Sequence, residues 1–404
     1  MSNLSSSERK KTIVMWAPIT LEPPISGDKI NEVERIRVLS RVFTVYAFVL
    51  VSLRKLREFR MNASKSFGDA HVGIVGLPWL NIYGARIVST VAASMIAALG
   101  VFLITRTRKV DLVISRGGGD CLSSVPLLFA SRLIGLKFLY NVLSVPFAHR
   151  EIRVLGGLTG WQTVVKAMKW VDNLVLSNAD YVGVASPSAI DELLSVFGPN
   201  YEEKIVRLPF PIPDHFFGYP PRSMSEDRIQ LVYAGSISRL YDFSGLIKAL
   251  EILNKMWRAA SLTIITSDQG AKTLKRLVPG NVSFLRFERE LPRELIAERV
   301  RQATALVVPL AFQVPGLSLK AIEAMALNVP VIISNPGERA IFRDGETCAV
   351  VSDNSPHSWQ EAILRVATPE YRERIVRGGR AEVEAFRAGR NSEILLRLLE
   401  ARRW

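Results

Sequence analysis

The sequence predicts an α/β protein of two doubly wound domains, and three observations predict it. Its 404 residues exceed the usual size of one compact core, so two domains are expected. Short apolar runs alternate with segments of helical spacing along the chain, the pattern of parallel strands joined by helices. One stretch, Val307–Ser334, holds a complete crossover. In it, Val307–Leu310 is an apolar run ending at a loop. Ser318–Leu327 has helical spacing, with Leu319, Ile322 and Ala326 on one face and Lys320 and Glu323 on another. Asn328 and Pro330 stop that helix, and Val329–Ser334 reads as a second buried strand.

The other elements follow in order. Thr12–Trp16 is an apolar strand, and after a Pro-rich loop Ser26-Gly27-Asp28-Lys29 leads into a helix carrying Val33, Ile36, Leu39 and Val42. Val45–Ser52 is the next strand. Leu53–Lys65 interleaves Arg54, Lys55, Arg57, Arg60 and Lys65 with apolar residues, which suits either a solvated basic face or a patch for anionic headgroups or a lipid-linked phosphate. Ile87–Thr105 is uncharged and, at about 19 residues, long enough to span a bilayer. It is rich in Ala, Ser and Thr and precedes a strand the fold needs, Val110–Ser115, so a buried or membrane-contacting helix is expected in preference to a span.

That strand ends in Arg116-Gly117-Gly118-Gly119-Asp120, and Cys121–Ile134 is the helix after it. Consecutive glycines at a strand's C-terminal end bring backbone amides to the edge where open α/β sheets bind ligands. The run lacks the spacing of the phosphate-loop and dinucleotide fingerprints. Phe138–Val142 is a strand whose following loop holds His149 and Arg150. Asn178–Gly198 reads as helix end, strand, Ser-Pro turn and helix, and Lys204–Leu208 as a strand. Residues 209–227 are dense in Pro and aperiodic, a linker between a first domain of 1–208 and a second of 228–388. In the second, strand Gln230–Ala234 ends at Gly235-Ser236. Helix Leu246–Leu253 and strands Leu262–Thr266 and Val282–Phe284 follow, and helices are expected over Ser358–Ala367, Glu370–Arg387 and Ile394–Glu400.

Composition narrows the function classes. Hydrophobic residues at 48 % and charged residues at 22 % describe a globular chain with ample core. Cys121 and Cys348 are the two cysteines; they lie far apart without metal-ligand spacing, which fits a reducing compartment and no disulfide. A net charge of +14 suits nucleic acid, an anionic membrane or a phosphorylated small molecule. No Cys/His pattern or RNA-binding aromatic signature accompanies the charge, so nucleic acid is the weakest of the three.

The loop Gln313–Ser318 contains Gly316 and opens a helix, where free N–H groups attract phosphate or hydroxyls. Glu323 follows in the second turn, where no backbone need calls for a carboxylate. The string GLSLKAIEAMALNVPVIIS, followed by GERAIFRDGETCAVV, resembles the donor-binding segment of the family 4 retaining glycosyltransferases. Glu323-Ala324-Met325-Ala326 matches the second half of that family's E-x7-E motif, and its first Glu falls here at Pro315. The resemblance extends over nearly the whole chain. It implies the GT-B fold, with two Rossmann-like domains facing across a cleft and a last helix, 389–404, packing back on the first. It also implies transfer of a hexose-type sugar from a UDP- or GDP-sugar, with retention, with no metal and with no cofactor beyond the co-substrate.

Carried onto this chain, the resemblance makes Gly235, Ser236, Gly316, Leu317, Ser318, Leu319 and Glu323 donor-binding, with Glu323 on the ribose hydroxyls. The family's Arg after the Gly is replaced by Ser236, and no Lys follows at the family's distance; Arg239 and Lys320 are the cations that could neutralise a diphosphate instead. Gly27, Asp28, Lys29, Gly117 and Gly118 become acceptor-side residues, and His149 matches a loop His that lines the family's active site, so that His149 and Glu323 are the catalytic candidates. The basic segment 54–65, the apolar helix 87–105 and the net charge point to a glycan or lipid-linked acceptor and a cytoplasmic protein peripheral to an anionic membrane. Two other GT-B roles remain open at this point, a catalytically silent scaffold or regulatory partner and a nucleotide-sugar 2-epimerase.

Overall fold

Two parallel sheets organise the chain. The computed structural model describes residues 10–20, 27–52, 71–79, 85–117, 121–142, 161–221, 228–256, 259–277, 282–289, 291–313 and 317–400. These fall into two compact units, one comprising the chain up to Ala185, Ala189–Pro211 and the chain from Ala388 onward, the other Ser186–Ser188 and Ile212–Arg387.

The first unit contains β1 (Thr12–Thr20), β2 (Thr44–Ser52), β3 (Val72–Trp79), β4 (Leu112–Gly117), β5 (Phe138–Val142), β6 (Tyr181–Val184) and β7 (Ile205–Arg207), in the order β3-β2-β1-β4-β5-β6-β7. Side chains alternate across a strand, so β1 feeds two cores. Ile13 and Met15 join Ile36, Leu39 and Leu395 from the helices Gly27–Ser40 and Ala388–Glu400. Val14 and Trp16 join Ala93, Ala97, Val101, Leu127 and Val175 from the helices Ala85–Thr107, Cys121–Ile134 and Trp161–Asn178 on the other face. The last helix is tied to the first by Ser392, whose hydroxyl donates to the carbonyl of Val38.

The second unit contains β8 (Ile229–Ala234), β9 (Ala260–Thr266), β10 (Leu285–Arg289), β11 (Ala305–Val308), β12 (Val331–Ser334) and β13 (Ala349–Val351), in the order β10-β9-β8-β11-β12-β13. Its larger core joins β8, β9 and β11 to Leu246, Leu250 and Leu253 of the helix Ser244–Lys255 and to Trp359, Ile363 and Val366 of the helix Pro356–Ala367.

In each sheet the strand order reverses once. Connections step one way from β1 and the other way into β4; the same happens at β8 and β11. Right-handed crossovers then place the helices after the two strands on opposite faces, which opens a crevice beyond their C-terminal ends.

Several elements differ from expectation. The strand β3 was not anticipated: Gly73, Gly76 and Pro78 depress its strand propensity, and it forms because an edge position tolerates Pro. The strand expected at Val282–Phe284 lies at Leu285–Arg289, because the amide of Leu285 closes a turn onto the carbonyl of Val282 first. The helix expected over Glu370–Arg387 runs Pro369–Glu382 and tightens into a 3-10 turn at Val383–Phe386, while the last helix starts at Ala388 instead of Ile394. Within the segment 209–227, Phe216 and Phe217 of the turn Asp214–Gly218 are buried, with Arg293 over the first ring and Arg380 and Arg387 over the second.

Gly245, in the first turn of its helix, lets the backbone at Asn354 come close: a Cβ there would sit 1.9 Å from that carbonyl oxygen. Gly245→Ala is therefore expected to lower stability by about 1–3 kcal/mol from overpacking, although Ala is the better helix former. A lower urea midpoint at unchanged slope is the readout.

Candidate functional site

The crevice of the second sheet is built from the loops after β8 and β11, and these are tied together. Asp242 donates its amide to the carbonyl of Pro309 at 2.8 Å, Ala311 donates to Leu240 at 2.9 Å, and Tyr241 bridges to Leu310. The carbonyl of Leu310 also accepts from Ser334 Oγ, Asn335 Nδ2 and Asn354 Nδ2, each at 2.9 Å. The loop after β8 begins with Gly235 at φ 138°, a conformation that favours glycine, its amide held by the carbonyl of Ile265.

Lys320 reaches back from the helix Leu319–Ala326 to this turn. Its Nζ lies 4.0 Å from the ring centroid of Tyr233 and 4.4 Å from that of Tyr241, and it donates to the Tyr241 hydroxyl at 3.3 Å. A Cβ on Gly235 would stand 2.7 Å from that nitrogen, so only glycine leaves room for the ammonium. Tyr233 in turn donates its hydroxyl to the carbonyl of Ser236 at 2.5 Å. Burial lowers the Lys320 ammonium to about 7, and the charge of Glu323 acts against that shift. The same burial raises both tyrosines above their ordinary range, so both stay neutral. The result is a cation in an aromatic box whose nearest carboxylate is engaged elsewhere.

That engagement is the ion pair of Glu323 Oε1 with Arg293 Nη2, at 2.5 Å and mostly shielded from solvent. Arg293 belongs to the helix Arg293–Gln302 and also lies 5.3 Å from the Phe216 ring. The helix carrying Lys320 and Glu323 begins at Ser318 and ends cleanly. Asn328 adopts φ 58° after it, the left-handed cap that Asn tolerates, and its side chain donates to the carbonyl of Tyr219.

In the first unit, Gly27, Asp28 and Lys29 form the first turn of the helix after β1, and Gly117 ends β4. A Cβ on Gly117 would lie 2.5 Å from the Tyr140 ring, which explains the glycine. Tyr140 donates to Asp172, whose carboxyl burial raises to about 7. In the helix Gly27–Ser40, Arg35 is fully buried with Glu32 4.0 Å away, and burial together with the neighbouring charge of Arg116 lowers its pKa.

The predicted residues thus sort by sheet. Gly235, Ser236 and Arg239 follow β8, and Leu317, Ser318, Leu319, Lys320 and Glu323 follow β11. Gly27, Asp28 and Lys29 follow β1, and Gly117 closes β4. Each set occupies the two loops at the reversal of its own sheet. Arg239 and Ser236 are exposed, and it is Lys320, not Arg239, that the structure joins to Gly235. Gly118, His149, Pro315, Gly316 and the basic segment 53–65 lie outside the described residues. Tyr233, Tyr241 and Arg293 were not anticipated. The tyrosines flank the Gly-Ser turn in sequence and could have been noticed there; Arg293 sits among alternating charges and gives no signal.

Residues 228–368 match the family model for glycosyl transferases group 1. The match covers the whole second-sheet crevice and all its donor candidates. No curated protein matches the chain by sequence. Among solved structures, a sucrose-phosphate synthase from Thermosynechococcus elongatus is similar over 97 % of this chain and 99 % of its own, at 17 % identity and TM-score 0.72. Anabaena HepE, in complex with UDP and glucose, is similar over 96 % and 99 %, at 12 % identity and TM-score 0.68. WaaG, a glycosyltransferase involved in lipopolysaccharide biosynthesis, is similar over 96 % and 99 %, at 15 % identity and TM-score 0.64. The fold is GT-B.

Gly235→Ala tests the local geometry. Forcing a side chain into positive φ and against Lys320 is expected to remove about 1–3 kcal/mol of stability. A urea midpoint equal to that of the parent chain would mean the turn and Lys320 adapt freely.

Proposed function

We propose that this chain is a glycosyltransferase moving a sugar from a nucleoside-diphosphate donor to an acceptor hydroxyl. The observation that carries the reading is Lys320, an ammonium boxed by Tyr233 and Tyr241 at the sheet reversal, next to a helix N-terminus and, among the described residues, with no carboxylate bonded to it. Transfer breaks the bond between the sugar's anomeric carbon and the diphosphate, so negative charge grows on the leaving group. A preorganised cation and helix N–H groups at that position are worth most in such a step. Lys320 takes the role that the family gives to the Arg replaced here by Ser236. Glu323, oriented by Arg293, is assigned to the ribose hydroxyls of the donor, a UDP- or GDP-sugar; the UDP bound to a structural neighbour supports the first of these.

The finer assignments belong to the same proposal: membership of family 4, retention of configuration, catalysis without a metal or cofactor, and an acceptor that is a glycan or lipid-linked saccharide bound by the first unit. Residues Gly27–Lys29, Gly117, Gly118 and His149 are its acceptor side. Buried free thiols at Cys121 and Cys348 suit the cytoplasmic placement.

The test is thermal shift of the full chain with UDP, GDP and their sugar conjugates, with CMP-sugars as controls. One nucleotide family is expected to raise the melting temperature by mass action. The shift should shrink between pH 6 and pH 8.5. The lowered pKa of Lys320 means that its charged form, the one that attracts diphosphate, is lost as pH rises through about 7, weakening affinity by at most about tenfold per pH unit for one linked proton. Lys320→Met should bind weakly throughout and without that dependence, which separates it from ionisation of the ligand. No shift with any nucleotide would turn the reading to a silent scaffold, with Pro315 and Ser236 as the reason. Formation of an epimeric nucleotide-sugar without acceptor would turn it to an epimerase.

Glu323→Ala is expected to lower turnover at least about tenfold, a loss of roughly 1.4 kcal/mol of transition-state binding, and to lower the melting temperature as well because it removes the shielded ion pair with Arg293. Parental turnover in that variant would remove Glu323 from the site.

A further inference from the structure

The helix Ala85–Thr107 is built inside out. Its inward stripe is small or polar, with Thr90, Ala93, Ser94 and Ala97 ahead of Val101, and a Cβ on Gly100 would meet the Phe48 ring at 2.5 Å. Its outward stripe holds the large apolar residues Val88, Met95, Ile96, Leu99, Phe102 and Leu103. An amphipathic helix of a protein surrounded by water places them the other way round. The stripe repeats at helical spacing for about 22 Å at 1.5 Å per residue. The segment Val88–Thr107 has a mean hydropathy of 2.1, yet only 28 % of its apolar window is buried.

The neighbouring helices continue the face. Cys121–Ile134 packs beside Ala85–Thr107 and Trp161–Asn178 packs beside that, and they expose Leu122, Phe129, Leu133 and Trp170, with Leu133 at 88 % and Trp170 at 67 %. Among the described residues, ten of the fourteen exposed large hydrophobic side chains belong to these three helices. Such a concentration marks an interaction surface.

Its charges select the partner. Arg106, Arg108 and Lys109 are exposed at the C-terminal end of the first helix, and Lys166 and Lys169 are exposed beside Trp170. The three helices contain a single acid, Asp172, which is buried and bonded to Tyr140. Arg132 is engaged by Asp180 and by the carbonyl of Asn178. A second copy of the chain meeting this face through a two-fold axis would bring like charges together around the apolar stripe. A surface of hydrocarbon beneath negative headgroups complements both features.

We propose that this three-helix face docks on an anionic lipid bilayer, with the helix Ala85–Thr107 lying in the membrane plane. It does not span, because the inward stripe fixes it to β1, β2 and β3 along its length. Leu99, Phe102, Leu103 and Trp170 enter the acyl boundary, and the basic residues meet phosphate. The assignment of this face stands without the transferase reading and is tested by binding alone.

The experiment is co-sedimentation of the full chain with vesicles of phosphatidylcholine, with and without phosphatidylglycerol, alongside sedimentation equilibrium without lipid. The chain is expected to pellet with the anionic vesicles at low salt and to be released by high salt. Leu99→Asp with Phe102→Asp should lower the partition coefficient at least about tenfold. Lys166→Glu with Lys169→Glu should weaken the preference for phosphatidylglycerol, leaving the part carried by Arg106, Arg108 and Lys109. Because all four positions are exposed, each variant should keep the parental melting temperature, which checks folding. The proposal is overturned if the parent chain stays in the supernatant, if the Asp variant pellets equally, or if salt fails and only detergent releases the chain. A lipid-free dimer dissolved by the Asp substitutions, with no vesicle binding by the parent, would assign the face to a second copy instead.

Discussion

The carbonyl of Leu310 is the fixed point of the second unit. Three side-chain donors from three separate segments, Ser334, Asn335 and Asn354, converge on it at 2.9 Å. A carbonyl offers two lone pairs, so its accepting capacity is fully used. These bonds lie where β11 leaves the sheet, and they hold its exit against the ends of β12 and β13. The loop after β8 is then laced to the same place through Tyr241, Asp242 and Ala311. Removing this knot would free both walls of the crevice at once. Lys320 could then no longer be presented to the Gly235 turn, since its position depends on Tyr241 from one wall and its own helix from the other.

On the proposed reading, the placement of Lys320 physically offsets a departure from the pattern of the family the chain resembles. An Arg in the loop after β8 would present an always-charged fork. Ser236 presents nothing of the kind. On that reading Lys320 supplies a cation from the opposite wall instead, at the expense of burying an ammonium, which favours its neutral form. Two aromatic faces offset part of that expense, because their quadrupoles attract a cation without adding a negative charge that would repel a phosphate. A carboxylate partner would have fixed the lysine more strongly and spoiled the site. Arg293 serves the same end indirectly by engaging Glu323, so that the carboxylate three residues along the helix does not fold onto the lysine.

What could be read from the residues, and what could not, divides along sheet position. Central parallel strands are buried on both faces and appear as unbroken apolar runs, as Ile13–Ala17, Leu112–Ile114 and Val331–Ile333 do. Three strands were missed or misplaced, and all are edges: β13, which is only three residues long, and the longer β3 and β10. Gly73, Gly76 and Pro78 in β3 and Arg286, Glu288 and Arg289 in β10 erase the run. The placement of the candidate residues at the reversals was legible because glycine, strand end and helix start are close together in sequence. Arg293 was not, because it pairs with Glu323 from 30 residues away on another crossover. Sequence spacing describes one element at a time and is silent on which elements meet.

The same limit applies to the helix Ala85–Thr107, and there it has a functional edge. From composition alone its apolar length fits a buried helix, a span or a surface helix. Only the identity of the buried stripe separates them. A core helix would turn Met95, Leu99, Phe102 and Leu103 inward, where each would contribute roughly 1.5–3 kcal/mol. This helix instead packs through alanine and glycine, so close that the ring of Phe48 fills the place of a side chain. The large residues are left outside, and water would impose about the same penalty per residue that burial would have avoided. A fold that accepts that penalty along about 22 Å of helix is stable in water despite it, and gains when the face meets hydrocarbon. The sheet fixes the helix and thereby prevents it from crossing. Docking in the plane is the arrangement that satisfies both the inward and the outward stripe.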